Sequence, residues 1–393
     1  MMDRTFIKTA LVTGATGKIG RLLTKELLRQ NFRVRLFLRD RTVNFQSIFS
    51  CSIEPSSTIV QPNPNIEIFF GEITDYHSVV AAVSGVDYIF HLAALLHINN
   101  PHPSMYGKYY DVNVIGTKNI VDAASKAGVK RVVIFSTISV YGTNIPNYLH
   151  SNKEIFSDIQ TFSEVSPVNP LTIYAKTKLL AEQYCSSNVT VLRIASVYGT
   201  HMAGNYLRLI QAVRRGFFSI PVNNKGLSVY RTLIHEKDVV SGAILAATHP
   251  EAAGRTYNLT DGEIHSLEDI VKAIADALSV KVFIFNSPER VIRSVANLLD
   301  ILNKKIIQPY TDQAYNNKSV YIYRIINKIN NSIEKALYSF DKLTENIAID
   351  GYKIQRELGF QPKYNLQSGW SDALVKQRGA ISGKSVNVRN LNP

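Results

Sequence analysis

The chain has 393 residues, of which 45% are hydrophobic and 19% charged, a composition typical of a folded globular protein rather than a disordered one. The formal net charge is +13, but the lysines and arginines are interspersed with acids and form no block of like charge, so we expect no nucleic-acid partner. Cys51 and Cys185 are too few for a disulfide framework, and we find no signal peptide or long apolar run, so we expect a cytoplasmic protein.

Apolar runs alternate with amphipathic segments over the first 200 residues. The strands predicted from these runs are TALVTG, RVRLFLRD, IEIFFGEITD, DYIFHLAAL, KRVVIFSTISVYG and VTVLRIASVYG, and the predicted helices are KIGRLLTKELLRQ, SVVAAVSGV, NVIGTKNIVDAASKAGV and YAKTKLLAEQYCSS. Residues 42–64 and 143–166 break this rhythm and are predicted to be irregular. Alternation of this kind predicts an α/β fold, a doubly wound parallel sheet with helices on both faces.

Three glycines, Gly14, Gly17 and Gly20, lie where the first predicted strand passes into the first helix. In such a unit the first glycine permits a tight turn, the second lets a diphosphate approach the backbone, and the third allows the helix to pack closely on the sheet. The free N–H groups and the positive end of the helix dipole then face the phosphates. Because the motif directly follows the first strand of a βαβ series, it predicts a dinucleotide site.

The stretch TGATGKIG resembles the TGxxGxxG loop of the extended short-chain dehydrogenase/reductase superfamily, in its NAD-dependent epimerase/dehydratase group. Further motifs follow in that family's order: HLAA at 91–94, NVIGT from 113, STISVYG from 136, YAKTK from 174, LRIASVYG from 192 and RTLIHEKDVV from 231. The resemblance implies a Rossmann fold with a smaller C-terminal α/β substrate lobe. We therefore expect a dinucleotide-binding unit that also carries the catalytic residues over 1–200, a lobe over 201–378 with segments that return to the core, and a disordered tail over 379–393.

Tyr174 and Lys178 are four residues apart in a helical pattern and therefore share one face. A phenol, whose unperturbed pKa is about 10, is a poor base at neutral pH, and a neighbouring ammonium lowers that pKa. Tyr174 is thus predicted to move a proton to or from a carbinol while hydride passes to or from a nicotinamide. The resemblance adds Thr137 as the hydrogen-bond partner of the reacting oxygen and implies that Lys178 holds the nicotinamide ribose.

The resemblance also implies a wider cofactor site. Its predicted members are Gly14, Thr16, Gly17, Lys18, Ile19, Gly20, Arg39, Glu72, Ile73, Ala93, Ala94, Tyr174 and Lys178. Arg39, at the end of the second strand, suits the 2′-phosphate of NADP, whereas the adjacent Asp40 suits the ribose 2′-hydroxyl of NAD. Both cofactors stay open, and Arg39 favours NADP.

For the substrate, the resemblance implies that Asn205 and Arg231 contact the diphosphate or sugar of a nucleotide sugar, with Thr137 at the reacting oxygen. A guanidinium group suits a diphosphate. Ile138 and Ser139 occupy positions where dehydratases and decarboxylating relatives carry acids, which disfavours both reactions.

Redox chemistry at one carbon then remains. The leading hypothesis is oxidation of a sugar carbinol and re-reduction on its other face, as in a UDP-sugar 4-epimerase. The alternative is an NADPH-dependent 4-keto-sugar or hydroxysteroid-type reductase or dehydrogenase. A non-catalytic dinucleotide sensor is the alternative from another class, and the intact set of Thr137, Tyr174 and Lys178 argues against it.

Two further features have a structural and a functional interpretation. His91 is predicted to be a packed strand residue rather than a metal ligand, since no partner has ligand spacing, and we expect no metal site. The region 286–345 reads as basic amphipathic helices, which either close the substrate lobe or rest on a membrane surface. Members of the resembled family often form dimers, so a homodimer is also an expectation.

Overall fold

The computed structural model describes residues 7–42, 63–96, 102–142, 161–200, 202, 204–222, 229–288 and 346–382, together with residues 290, 294, 298 and 301. The described strands are β1 (Thr9–Thr13), β2 (Arg33–Leu38), β3 (Ile66–Phe70), β4 (Tyr88–His91), β5 (Arg131–Thr137), β6 (Val189–Ile194), β7 (Ser196–Tyr198), β8 (Phe217–Val222), β9 (Tyr230–Arg231), β10 (Leu233–His235), β11 (Thr256–Leu259), β12 (His265–Ser266) and β13 (Phe283–Pro288). The helices are α1 (Lys18–Arg29), α2 (Tyr76–Val83), α3 (Tyr106–Tyr110), α4 (Gly116–Lys126), α5 (Ile173–Glu182), α6 (Asn205–Arg214), α7 (Glu236–Thr248), α8 (Leu267–Leu278), α9 (Tyr352–Leu358) and α10 (Leu366–Ser382).

Seven parallel strands form the central sheet in the order β3-β2-β1-β4-β5-β6-β11. The register of β1 pairs Thr9 with Arg33 of β2 and Ala10 with Tyr88 of β4. All four residues of β4 are buried, as expected for a strand covered on both faces. The strand order reverses between β1 and β4, and the crevice outside the carboxyl ends of the strands at such a point is where ligands bind in open α/β sheets. The predicted Rossmann fold is confirmed.

Helices cover both faces of this sheet. On one face α1 and α7 share a core, to which α1 contributes Leu23 and Leu27. On the opposite face α2 and α4 share a second core, to which α4 contributes Ile120 and Ala124. The amphipathic pattern of each helix thus matches the face that it buries.

A third apolar core lies apart from the sheet and is built by α6, α8, α10 and the parallel pair β8–β13. Its largest member is Trp370, which is fully buried and stacks on Tyr198 with ring centroids 4.8 Å apart. Two short pairs, the parallel β7–β10 and the antiparallel β9–β12, complete the strands of this part of the chain. This core agrees with the predicted smaller lobe, while the predicted domain bounds remain a prediction.

Two predicted elements differ from the structure in detail. The helix predicted from Asn113 begins as a π-helical turn over Asp111–Ile115, preceded by α3, and becomes α4 only at Gly116. Helix α10 runs to Ser382 and so includes the first residues of the predicted tail. The greater part of the predicted irregular segments and of the region 286–345 lies outside the described residues. Of the helices that the structure describes, none is long and apolar enough to cross a membrane.

Candidate active site

The glycine loop between β1 and α1 has the geometry of a phosphate-binding turn. Gly14 has a φ of +70°, and a Cβ there would lie 2.8 Å from the backbone nitrogen of Ala93. Gly17 is the N-cap of α1, and no side chain caps that helix end. A Cβ on Gly20 would meet the carbonyl oxygen of Gly14 and lie 2.8 Å from the Cα of Ala15. The backbone N–H groups at the start of α1 are therefore available to an anion, as dinucleotide binding requires.

The remaining predicted loop residues surround this turn. Thr16 and Lys18 are exposed and Ile19 is half-buried. Ala93 and Ala94 follow β4, where the backbone N–H of Ala93 donates to the hydroxyl of Thr13 at 3.1 Å. This hydrogen bond joins the ends of β1 and β4 beside the glycine loop.

His91 is a structural residue under this loop, as predicted. It is fully buried, and its two ring nitrogens lie 2.8 Å and 3.0 Å from the hydroxyl oxygens of Thr13 and Thr117. Burial, reinforced by the charge of Lys178, lowers the pKa of His91 to about 3, so the ring is neutral. Over the described part of the chain, no group of three or more His, Cys, Asp or Glu side chains is placed to hold a metal ion.

The residues predicted to contact the adenosine half lie at the ends of β2 and β3. Arg39 is exposed. Oδ1 of Asp40 accepts hydrogen bonds from the backbone N–H of Thr42 at 2.8 Å and from its hydroxyl at 2.7 Å, which lowers the pKa of Asp40. Glu72 is also exposed, whereas Ile73 is buried in the core. The side chains of Arg39 and Glu72 are therefore accessible from solvent.

Thr137, Tyr174 and Lys178 come from β5 and α5. Thr137 ends β5, and its hydroxyl oxygen caps the following turn by accepting a hydrogen bond from the backbone N–H of Ser139 at 3.2 Å. Helix α5 is capped by the hydroxyl of Thr172, which accepts from the backbone N–H of Ala175 at 3.1 Å. This cap places Tyr174 in the first turn of α5 and Lys178, which is buried, one turn further along the same face.

The electrostatics of Tyr174 correct one expectation. Burial, followed by the nearby phenol of Tyr109, raises the pKa of Tyr174 to about 12. Burial also lowers the pKa of Lys178 itself, to about 8. The prediction that the pKa of Tyr174 is lowered is therefore wrong for the protein alone, because desolvation of the buried phenol raises it. At neutral pH the hydroxyl of Tyr174 is protonated.

Asn113 is a site residue to which the sequence analysis gave no role. It is buried in the π-helical turn, a distortion often found at functional sites. Its side-chain amide donates to the hydroxyl of Thr177 at 3.1 Å, and its Oδ1 accepts from the backbone N–H of Leu95 at 2.7 Å. Asn113 thereby joins the segment after β4 to the helix that carries Tyr174. In the sequence its one sign was its place at the start of the motif NVIGT, and only the structure shows that the side chain is buried.

A buried ion pair, also missed from the sequence, anchors the far end of α5 to the sheet. Glu182 accepts from Arg193 of β6 with an N–O distance of 2.7 Å, and both side chains are 9% exposed. Arg193 also donates to the hydroxyl of Tyr141 at 2.8 Å, and the hydroxyl of Ser136 donates to Glu182. Because Glu182 lies one turn after Lys178, its carboxylate also raises the pKa of that lysine, against the larger effect of burial.

One cavity brings together predicted residues from both halves of the chain. Thr137, Tyr174, Asn205 and Arg231 all line a space of about 550 Å³. Its other described lining residues are Ile138, Ser139, Ile194, Ala195, Ser196, Tyr206, Arg208, Leu209, Gln211, Ala212, Arg215, Phe218, Leu267, Ile270 and Ile347. A volume of this size is typical of small-molecule sites.

The charged side chains in the described lining of this cavity are all positive. Arg208 of α6 and Arg215, which directly follows α6, join Arg231 of β9 in its lining, and no described lining residue carries a carboxylate. Asn205 begins α6, and its Oδ1 lies 3.5 Å from a guanidinium nitrogen of Arg208. Three guanidinium groups, two of them not predicted, therefore make the cavity suitable for an anion.

Comparison with known proteins agrees with this fold. Residues 10–260 match the family described as NAD dependent epimerase/dehydratase. The uncharacterized protein y4nG of Sinorhizobium fredii (strain NBRC 101917 / NGR234) is 27% identical over 366 residues, covering 91% of this chain and 76% of that protein. The 3 beta-hydroxysteroid dehydrogenase/Delta 5-->4-isomerase of Mycobacterium tuberculosis (strain CDC 1551 / Oshkosh) is 27% identical over 282 residues, covering 68% of each chain.

Among solved structures, MoeE5 in complex with UDP-glucuronic acid and NAD is similar in fold, with a TM-score of 0.61 and 21% identity over 95% of this chain and 99% of that one. The family match spans more than half of the chain and includes the glycine loop, Thr137, Tyr174 and Arg231. The chain belongs to the NAD dependent epimerase/dehydratase family and is an extended short-chain dehydrogenase/reductase enzyme that uses a nicotinamide dinucleotide.

Proposed function

We propose that the enzyme transfers hydride at a carbinol carbon of a nucleotide sugar. The observation that carries this proposal is the cavity that joins Tyr174 and Thr137 to three arginines without a described carboxylate. A nucleotide sugar has a diphosphate to pair with guanidinium groups and a hydroxyl-bearing ring to reach Tyr174. The fold relative MoeE5, solved with UDP-glucuronic acid and NAD, supports the same substrate class.

The glycine loop suits a dinucleotide, because Gly14 and Gly20 let the turn pack against the segment after β4 and against α1, and no side chain caps the start of α1. Bound there, a nicotinamide dinucleotide supplies the hydride donor or acceptor. We further propose NADP as the form preferred, because Arg39 is exposed and Oδ1 of Asp40 is engaged by Thr42. In that case Arg39→Ala weakens NADP binding more than NAD binding, and equal losses contradict the preference.

In this reaction Tyr174 donates or accepts the proton. Because its pKa is about 12, the hydroxyl is protonated at pH 7 and is ready to donate to the oxygen of a keto group. The hydroxyl of Thr137 holds that oxygen, and Lys178 binds the ribose hydroxyls of the cofactor. In the oxidative direction Tyr174 must instead accept a proton, which a positive charge brought close to the phenol favours by lowering its pKa.

We propose oxidation followed by re-reduction on the opposite face, an epimerisation, as the leading reaction. Ile138 and Ser139, which follow Thr137 in the cavity wall, offer no acid or base for dehydration or decarboxylation. A net 4-keto-sugar reduction uses the same residues, and the NADP preference favours it. The two reactions differ in cofactor balance, since an epimerase regenerates its dinucleotide and a reductase consumes one NADPH per product.

The first experiment tests the substrate class. The purified enzyme is assayed for UDP binding by calorimetry and for conversion of UDP-sugars, with absorbance at 340 nm recording the cofactor. We expect Arg231→Gln to weaken UDP binding by about ten- to a hundredfold, the value of a charge-assisted hydrogen bond. The matched control is Arg214→Gln, an exposed arginine of α6 outside the described cavity lining, which leaves the affinity unchanged. Equal affinity in all three proteins contradicts the proposal.

A hydroxysteroid dehydrogenase is the second candidate. The relative from Mycobacterium tuberculosis carries that name, and the cavity also has an apolar wall that includes Phe218, Leu267 and Ile270. This candidate predicts oxidation of a 3β-hydroxysteroid that is unaffected by UDP or by Arg231→Gln. Steroid turnover without UDP binding therefore decides for it and against the nucleotide sugar.

A further inference from the structure

The parallel pair β8–β13 exposes a surface of three phenylalanines, Phe217, Phe283 and Phe285. They are 69%, 63% and 43% exposed. Phe217 and Phe283 are register partners with ring centroids 6.2 Å apart, and Phe283 and Phe285 are also 6.2 Å apart. The alternate residues of both strands, such as Phe218 and Ile284, turn the opposite way into the third core. The three rings thus form one contiguous apolar patch, which we call the phenylalanine surface.

Cations border this surface. Arg214 and Arg215 precede β8 and Lys281 precedes β13, and all three are exposed. The two strand entrances lie side by side, because the backbone N–H of Phe283 donates to the carbonyl oxygen of Gly216 at 2.7 Å. Residues 214–222 and 281–288 contain no aspartate or glutamate. Aromatic rings and cations therefore occur together without an acid on either strand.

Exposed apolar side chains continue beyond β13. Leu298 and Ile301 are 57% and 50% exposed.

We propose that the phenylalanine surface and its bordering cations dock the enzyme on an anionic phospholipid bilayer. Exposed aromatic rings enter the boundary between headgroups and acyl chains, while lysine and arginine are attracted to anionic headgroups. A water-soluble acidic protein would attract the cations but would not account for the exposed rings. The interaction is peripheral, it involves residues outside the described cavity lining except Arg215, and it is independent of the proposed substrate.

The test is co-sedimentation of the full-length enzyme with vesicles of phosphatidylcholine alone and of phosphatidylcholine mixed with phosphatidylglycerol. We expect binding to the anionic vesicles that weakens as salt is added. Phe217→Thr/Phe283→Thr/Phe285→Thr, which keeps strand propensity, lowers that binding by about tenfold or more. The matched control Val165→Ser/Tyr352→Ser changes two other exposed apolar residues and leaves binding unchanged.

The charge contribution is measured separately with Arg214→Gln/Lys281→Gln. A basic residue near an anionic surface contributes about 1 kcal/mol, or about fivefold in binding, so the double variant loses about thirtyfold at low salt. Circular dichroism and dinucleotide binding establish that each variant is folded. Absence of wild-type binding to anionic vesicles at low salt overturns the proposal. So does a wild-type dimer that the triple phenylalanine variant converts to monomer, because a second copy then covers the surface.

Discussion

Alanine at Gly20 is predicted to weaken both the fold and the dinucleotide site, although alanine is normally the better helix former. Replacing a helical glycine by alanine stabilises a helix by about 1 kcal/mol. At Gly20 the new Cβ overlaps the carbonyl oxygen of Gly14 and lies 2.8 Å from the Cα of Ala15. Both are backbone atoms that cannot rotate away, so α1 must move from the loop, and overpacking of this kind costs about 1–3 kcal/mol.

The comparison that makes this measurable is Gly107→Ala. Gly107 is an exposed residue of α3, and a Cβ there meets nothing within 4 Å. We expect Gly107→Ala to raise the free energy of unfolding by up to about 1 kcal/mol and Gly20→Ala to lower it by about 1 kcal/mol or more. Urea unfolding followed by circular dichroism measures both. Gly17→Ala, whose Cβ lies 3.2 Å from the Gly14 oxygen alone, should fall between them.

The same variants are titrated with NAD and NADP. A displaced α1 no longer presents its N–H groups to the diphosphate, so Gly20→Ala is expected to weaken binding of either dinucleotide by about tenfold or more, while Gly107→Ala leaves it unchanged. If Gly20→Ala is as stable as Gly107→Ala and binds either dinucleotide normally, α1 does not pack on the loop as described and the reasoning is refuted.

Three further predictions concern single side chains. Tyr174→Phe should lower turnover by about a hundredfold or more with little change in dinucleotide affinity, and unchanged steady-state rates would remove its acid–base role. Burial lowers the pKa of His91 from 6.5 to about 3, so the unfolded chain binds more protons between these values and stability falls as pH falls from 6.5. The free energy of unfolding of the wild type, measured in urea at each pH, should drop more steeply there than that of His91→Gln, by about 1 kcal/mol per pH unit. Glu182→Gln leaves buried Arg193 without its carboxylate and should lower the free energy of unfolding in urea by about 3–5 kcal/mol. Asp122→Asn, which removes an exposed pair with Lys118, should lower it by less than about 1 kcal/mol. Similar losses in the two variants would contradict the role given to burial.

Much of the fold was predictable because its signals are local. Alternating apolar runs and amphipathic segments identified the strands of the sheet up to β6 and the helices α1, α2 and α5. The spacing of Gly14, Gly17 and Gly20 identified the loop that they form, and the four-residue interval identified the shared face of Tyr174 and Lys178. Each of these patterns depends on backbone geometry over a few residues, which neighbouring residues determine.

The rest of the site depends on contacts between distant parts of the chain. Arg208 in α6 and Arg215 just after it read as ordinary surface residues until the fold places them with Arg231 around the cavity of Tyr174. The bond from Asn113 to Thr177 joins residues 64 positions apart, and no local pattern specifies it. The sequence by itself therefore determined which residues can do chemistry, because side-chain type and short-range spacing are written in it. Only the tertiary structure decided which groups surround these residues and how their pKa values shift. Desolvation, which raises the pKa of Tyr174 to about 12, depends on all the atoms packed around the group.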